Sequence, residues 1–143
     1  MQMPRPNPDV LMRKAELVRR LHAFLPSDSL ISDPVETKAY ECDGLSAYRC
    51  PPMAAVLPRS TQEVAAVLKL CHEMNVPVVP RGAGTSLAGG ALPTADSLIL
   101  GVARMNDVLE TDYENRVIKV QTGRTNLSVT GAVEAQGFFY APD

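Results

Sequence analysis

The sequence has no tryptophan and only 5% aromatic residues, so any core must be built from aliphatic side chains. It also has no excess of one charge, since 14 Lys and Arg stand against 16 Asp and Glu for a net charge of −2. That balance lacks the basic footprint that holds nucleic-acid phosphates, and nucleic acid is not expected as a partner. A long apolar run is missing as well. The first 25 residues carry Arg5, Arg13, Lys14, Arg19 and Arg20, but Pro4, Pro6 and Pro8 interrupt the start and charges recur through Val10–Leu25. Neither a secretory signal nor a transmembrane segment is expected, and the expected location is the cytosol.

Cysteine and histidine are scarce and badly spaced for metal. Cys42, Cys50 and Cys71 are odd in number with no Cys-x-x-Cys pair, and His22 and His72 lie far apart. No zinc or iron–sulfur pattern exists, so no metal ligand is assigned. Cys71 falls on the apolar face of a predicted helix, where a free cysteine acts as a small hydrophobe.

What the chain does have is 45% hydrophobic residues against 21% charged, enough for one globular domain or part of one. Val10, Leu11, Ala15, Val18, Leu21, His22 and Leu25 recur at helical spacing and predict one amphipathic helix ending before Pro26. Ser27–Pro52 reads as turns and irregular structure. Ala54–Leu57 reads as a strand, and Ser60 with Glu63 as a capping box opening a helix to about Met74. Its expected buried stripe is Val64, Val67, Leu68, Cys71 and Met74. With a strand at Val76–Val79 this makes a βαβ unit with parallel strands.

Farther on, Ser97–Val102 and Arg116–Gln121 are expected to pair as a hairpin, with Asp112–Asn115 as a turn between them. A helix from about Asn126 to Gln136 should bury Leu127, Val129, Ala132 and Val133 and end at Gly137, and Phe138–Tyr140 should start another strand. Gly123 reads as a turn residue and Gly131 as a site of close helix packing. Asp43, beside Gly44, reads as a turn-forming aspartate rather than an acid–base group.

The segment that bears on chemistry is Pro80-Arg81-Gly82-Ala83-Gly84-Thr85-Ser86-Leu87-Ala88-Gly89-Gly90, placed where a strand ends. Its glycines let the backbone approach a ligand, and its successive N–H groups can form an anion-binding concavity helped by the Thr85 and Ser86 hydroxyls. Gly-x-Gly-x-x-Gly fails at Leu87, and no Gly-Lys-Ser/Thr ending is present. Glycine content alone leaves a flexible connection and a phosphate loop evenly matched.

Pro80–Pro93 resembles the pyrophosphate loop of the FAD-binding domain shared by vanillyl-alcohol oxidase and p-cresol methylhydroxylase relatives. Tyr40–Tyr48, Val76–Val79 and Tyr140–Asp143 extend the likeness over residues 35–143, within the branch that holds the FAD-binding chain of bacterial glycolate oxidase and the FAD-linked D-lactate dehydrogenases. The resemblance implies an α+β fold: the βαβ subdomain of such a domain plus the start of its second subdomain. Residues 1–34 would be a helical extension and 35–143 an FAD-binding domain incomplete at its C-terminal end.

The resemblance assigns FAD contacts to Arg81, Gly82, Ala83, Gly84, Thr85 and Ser86, with Gly89 and Gly90 completing the loop. Pro80 is implied near the cofactor and reads equally as a strand-ending residue, while Arg81 is left between phosphate contact and loop support. Pro142 and Asp143 would begin a second flavin-contacting segment. Covalent members carry histidine where this chain has Thr85, so noncovalent FAD is implied. The implied activity is hydride transfer from glycolate or D-lactate to the flavin, with no catalytic residue assigned to this chain. The alternative is a non-catalytic FAD-binding subunit or a truncated remnant lacking the substrate domain. Implied partners are an FAD-like subunit and an iron–sulfur subunit, which could hold the protein peripherally at the inner membrane.

Overall fold

A computed structural model describes residues 3–141, so Pro142 and Asp143 lie outside the described residues. The chain enters through helix α1 (Pro8–Met12), which has proline at its first position and Asn7 as cap, its side chain accepting from the Asp9 N–H at 3.0 Å. Arg13, at φ −90° and ψ 6°, separates α1 from α2 (Lys14–His22). The single helix expected here is therefore two. Val10, Leu17, Leu21 and Leu25 are buried, whereas Leu11, Ala15 and His22 are exposed, so the inward stripe is narrower than the sequence suggested and runs through Leu17.

The central sheet has the order β1-β2-β4-β3, from β1 (Leu30–Ile31), β2 (Ala54–Val56), β3 (Val78–Arg81) and β4 (Leu98–Gly101). β1 is antiparallel to β2, and β4 runs parallel to both its neighbours, with Ala55 and Val79 flanking Ile99. The β2–α3–β3 unit is present, though its second strand starts two residues later than expected and runs through Pro80 to Arg81. Its two strands are not adjacent, however, because β4 inserts between them. All four β4 residues are buried, which explains why Leu98-Ile99-Leu100 is uninterruptedly apolar: a central parallel strand is covered on both faces.

Helix α3 (Thr61–Glu73) opens with Ser60 Oγ accepting from the Glu63 N–H at 3.2 Å. The return bond of the box lands one residue early, Glu63 Oε2 accepting from the Arg59 N–H at 2.8 Å. The helix buries Val67, Leu70 and Cys71, with Met74 as its C-cap, and leaves Leu68 45% exposed. These side chains join those of α2 and the sheet in one core.

The expected pairing of Ser97–Val102 with Arg116–Gln121 does not occur. The hairpin is β5 (Val108–Asp112) with β6 (Val117–Val120), a separate two-stranded sheet. Asp112 closes its turn, accepting from the Asn115 N–H at 2.9 Å and Nδ2 at 2.7 Å. Helix α4 (Asn126–Val133) is capped by Thr125 and passes through a 3₁₀ turn at Glu134–Gln136 to Gly137 at φ +80°. Val129 and Val133 are buried, but Leu127 is 83% exposed and Ala132 is exposed too. A Cβ on Gly131 would meet nothing within 4 Å, so this glycine serves no close packing. Phe138–Tyr140 forms no strand; Phe138 instead lies against Tyr113, ring centroids 5.4 Å apart.

Candidate functional site

The glycine-rich loop leaves the end of β3 and is held from behind by the segment Tyr40–Leu45. Arg81 Nη1 donates to the Cys42 carbonyl at 2.7 Å, and its guanidinium lies 5.7 Å from the centroid of the Tyr40 ring. A Cβ on Gly84 would fall 2.3 Å from an Arg81 nitrogen, and Gly84 sits at φ +71°. The positive φ favours glycine there, and any side chain would also have to displace the end of Arg81. Of the two roles left open for Arg81, the geometry shows the bracing one.

Asp43 is buried, and its Oδ1 accepts from the Leu45 N–H at 2.9 Å, the side-chain turn expected of it. Its Oδ2 also accepts from the Ala91 N–H at 3.4 Å, which ties the far end of the loop to the same segment. At Gly44 an added Cβ would stand 2.6 Å from the Thr85 carbonyl oxygen, so two backbones touch here. The Ser86 hydroxyl accepts from the Ala88 N–H at 3.2 Å.

In front of the loop opens a cavity of about 570 Å³. Gly82 and Ala83 form one wall, Ala103 and Asn106 from the β4–β5 connection a second, and Thr122–Asn126 with Ser128 the third. Gly123 joins the second and third walls: its N–H donates to the Met105 carbonyl at 2.8 Å, and an added Cβ would lie 2.0 Å from the Val102 oxygen. Arg124 is the one charged residue in the lining. Its Nη1 donates to the Asn106 carbonyl at 2.8 Å and its Nη2 to the Ser128 carbonyl at 2.9 Å, while its buried Nε has no hydrogen-bond partner among the described protein atoms.

Of the residues proposed from sequence, Gly82 and Ala83 line this cavity. Pro80 and Arg81 lie on β3, Gly84, Thr85, Ser86, Gly89 and Gly90 follow along the loop outside the lining, and Pro142 and Asp143 lie outside the described residues. The wall from Thr122 to Asn126 was missed, and Gly123 had been set aside as a turn residue. A signal was present: a strand, a glycine, then Thr125 as a helix cap repeats the strand-to-helix turn that presents backbone N–H groups to an anion.

The lining suits a phosphate-bearing cofactor. A Cβ on Gly82 would meet nothing within 4 Å, so open space stands against the bare backbone, and the same lining holds the Arg124 guanidinium and the first turn of α4. Cysteine chemistry is poorly served, since burial pushes the Cys71 thiol up to about 11 and also raises that of Cys50. Among the described residues no group of three His, Cys, Asp or Glu could hold a metal ion, and no helix is long and apolar enough to cross a membrane.

Known proteins similar to this chain identify its family and fold. A family model described as an FAD binding domain matches residues 52–143. Glycolate oxidase subunit GlcD of Escherichia coli (strain K12) is 41% identical over 136 residues, covering 95% of this chain and 27% of that protein. D-lactate dehydrogenase of Anaerostipes hadrus is 35% identical over 129 residues, 90% of this chain and 27% of that one. The chain thus spans about a quarter of the length of these curated relatives. In fold it superposes on substrate-bound p-cresol methylhydroxylase with a TM-score of 0.76 at 22% identity, over 85% of this chain and 24% of that structure. The chain belongs to the FAD-binding domain family, in the α+β fold of the p-cresol methylhydroxylase type, and FAD is its cofactor.

Proposed function

We propose that this chain is the FAD-holding front part of a flavin-dependent dehydrogenase acting on a 2-hydroxy acid, glycolate or D-lactate. The observation that carries the reading is the cavity between the braced glycine loop and the Gly123–Thr125 turn, whose size, bare backbone and single cation suit the FAD diphosphate. FAD supplies the acceptor for the hydride that leaves the hydroxyl-bearing carbon. The work of this chain is to bind and orient. Main-chain N–H groups of Gly82 and Ala83 meet the diphosphate in the cavity, those of Arg81, Gly84, Thr85 and Ser86 extend the contact along the loop, Gly89 and Gly90 close it, and Pro80 lies near the cofactor within β3. Pro142 and Asp143 begin a second flavin-contacting segment.

Thr85 offers no imidazole for a covalent link, so FAD is held noncovalently. The FAD-binding domain takes in residues 35–143, with 1–34 as an N-terminal extension. By analogy with a glycolate oxidase subunit, the protein works in the cytosol with FAD-like and iron–sulfur subunits. No residue of this chain is assigned to acid–base chemistry.

The test is titration of the protein with FAD, followed through quenching of flavin fluorescence, then acid precipitation. Binding with the yellow colour released to the supernatant is the expected result, and failure to bind overturns the reading. Dye reduction with glycolate and D-lactate, by the protein in which this chain occurs, tests the substrate class separately. FAD binding without reduction by either acid would remove the 2-hydroxy-acid assignment and leave the cofactor site.

A further inference from the structure

Two arginines flank the glycine loop, and their side chains have different employment. Arg81 is committed behind the loop, to the Cys42 carbonyl and the Tyr40 ring, and does not line the cavity. Arg124 stands in the lining with no acidic neighbour among the lining residues. Its two terminal nitrogens donate to carbonyls on different elements, Asn106 of the β4–β5 connection and Ser128 of α4, so the guanidinium is fixed in place before any ligand arrives. A charged group fixed in this way binds without the entropy loss of ordering a long side chain. Its Nε–H is buried and unsatisfied, so any further bond to a ligand falls to the second N–H of each terminal nitrogen, and the charge of the guanidinium acts from the lining.

We infer that Arg124 is the anion-recognising residue of this cavity, giving its guanidinium charge to the cofactor diphosphate while holding the β4–β5 connection and α4 at their spacing. The inference rests on the FAD reading above. It assigns the cation to the wall opposite the glycine loop, where the loop supplies only neutral N–H donors. The first turn of α4 adds its partial positive charge on the same side.

The test is a titration of the protein, carrying nitrogen-15 arginine, with FAD under nuclear magnetic resonance. The Arg124 guanidinium N–H resonances should shift as FAD binds, a readout that needs no variant. Arg124→Gln should weaken FAD about 10- to 100-fold, the range for losing a hydrogen bond to a charged group. It should also flatten the salt dependence of binding. Arg124→Lys should restore the salt dependence and part of the affinity, and Lys119→Gln, an equal charge change on the exposed face of β6, should alter neither. Wild-type protein that binds FAD with the Arg124 guanidinium N–H resonances unmoved, or Arg124→Gln with unchanged affinity, would overturn the inference alone. Wild-type protein that does not bind FAD would overturn the cofactor reading and this inference together.

Discussion

Replacing Gly84 with valine should disable the glycine loop by a route the geometry makes explicit. The residue sits at φ +71°, where an L side chain costs about 1–2 kcal/mol, and β-branching adds to the strain. The new Cβ would overlap the Arg81 guanidinium, 2.3 Å from one nitrogen and 2.4 Å from its central carbon. Arg81 then has to leave, which forfeits a charge-assisted bond to the Cys42 carbonyl worth about 1.5–3 kcal/mol and a cation–π contact with Tyr40 worth about 0.5–1 kcal/mol. The loss comes to about 3–6 kcal/mol, a large fraction of a domain stability of about 5–15 kcal/mol.

Because the damage is confined to a loop at the edge of the core, most secondary structure should survive while FAD affinity falls by about 100-fold or more. Urea unfolding followed by circular dichroism reads the first quantity and FAD titration the second. A cycle of Gly84→Ala, Arg81→Ala and the double variant isolates the clash: the alanine should cost at least about 1 kcal/mol more when Arg81 is present, leaving only the φ penalty when it is not. Additive effects, or Gly84→Val with undiminished FAD affinity, would refute the bracing role of Arg81 and the need for glycine at 84.

The parts of this fold that could be read from sequence are those where local chemistry decides. Ser60 and Glu63 started α3, Gly137 ended the last helix, and Asp43 and Asp112 made their turns, because each acts on its own neighbours. Long-range choices were less legible. A stripe through Leu68 and one through Leu70 both fit helical spacing, and only packing against α2 and the sheet selects Leu70. Val108-Leu109-Glu110-Thr111-Asp112 is charged and carries a bulge, so β5 lacks the alternation that reveals a strand, and Arg116–Gln121 was paired with the nearest visible partner instead. The unbroken apolar run of β4 argued against that pairing. At the site, the glycine loop was legible because it lies in one stretch, while the opposite wall is assembled from two connections that approach only after β4 has inserted between β2 and β3.

Gly82→Ala should separate folding from binding: its methyl meets no protein atom within 4 Å, so stability should change by less than about 1 kcal/mol, while FAD affinity falls about tenfold or more. Equal FAD affinity would place the cofactor elsewhere. Cys71 should resist a thiol reagent at roughly pH 8 until the protein unfolds, because its pKa is raised to about 11 and it is 1% exposed, whereas Cys42 and Cys50 react in the folded state. Prompt labelling of all three would show an open core. Asp96 sets an acid limit on stability. Burial opposes its ionisation, but bonds from the Asn7 N–H at 2.8 Å, the Thr94 hydroxyl and its own N–H outweigh that, and its pKa falls below the ordinary carboxylate value. A carboxylate lowered in the folded state adds stability that is fully present above its unfolded pKa of about 3.9 and is lost as pH falls through the folded value. The bond from Asn7 anchors the N-terminal cap of α1 to the turn before β4, so acid should loosen that end first. Asp96→Asn keeps an acceptor but never carries the charge, and should cost about 1 kcal/mol at neutral pH, the difference between a charged and a neutral acceptor. That deficit should close as the wild type is acidified below about pH 4. A deficit that persists at low pH would show that Asp96 acts through shape and not through its charge.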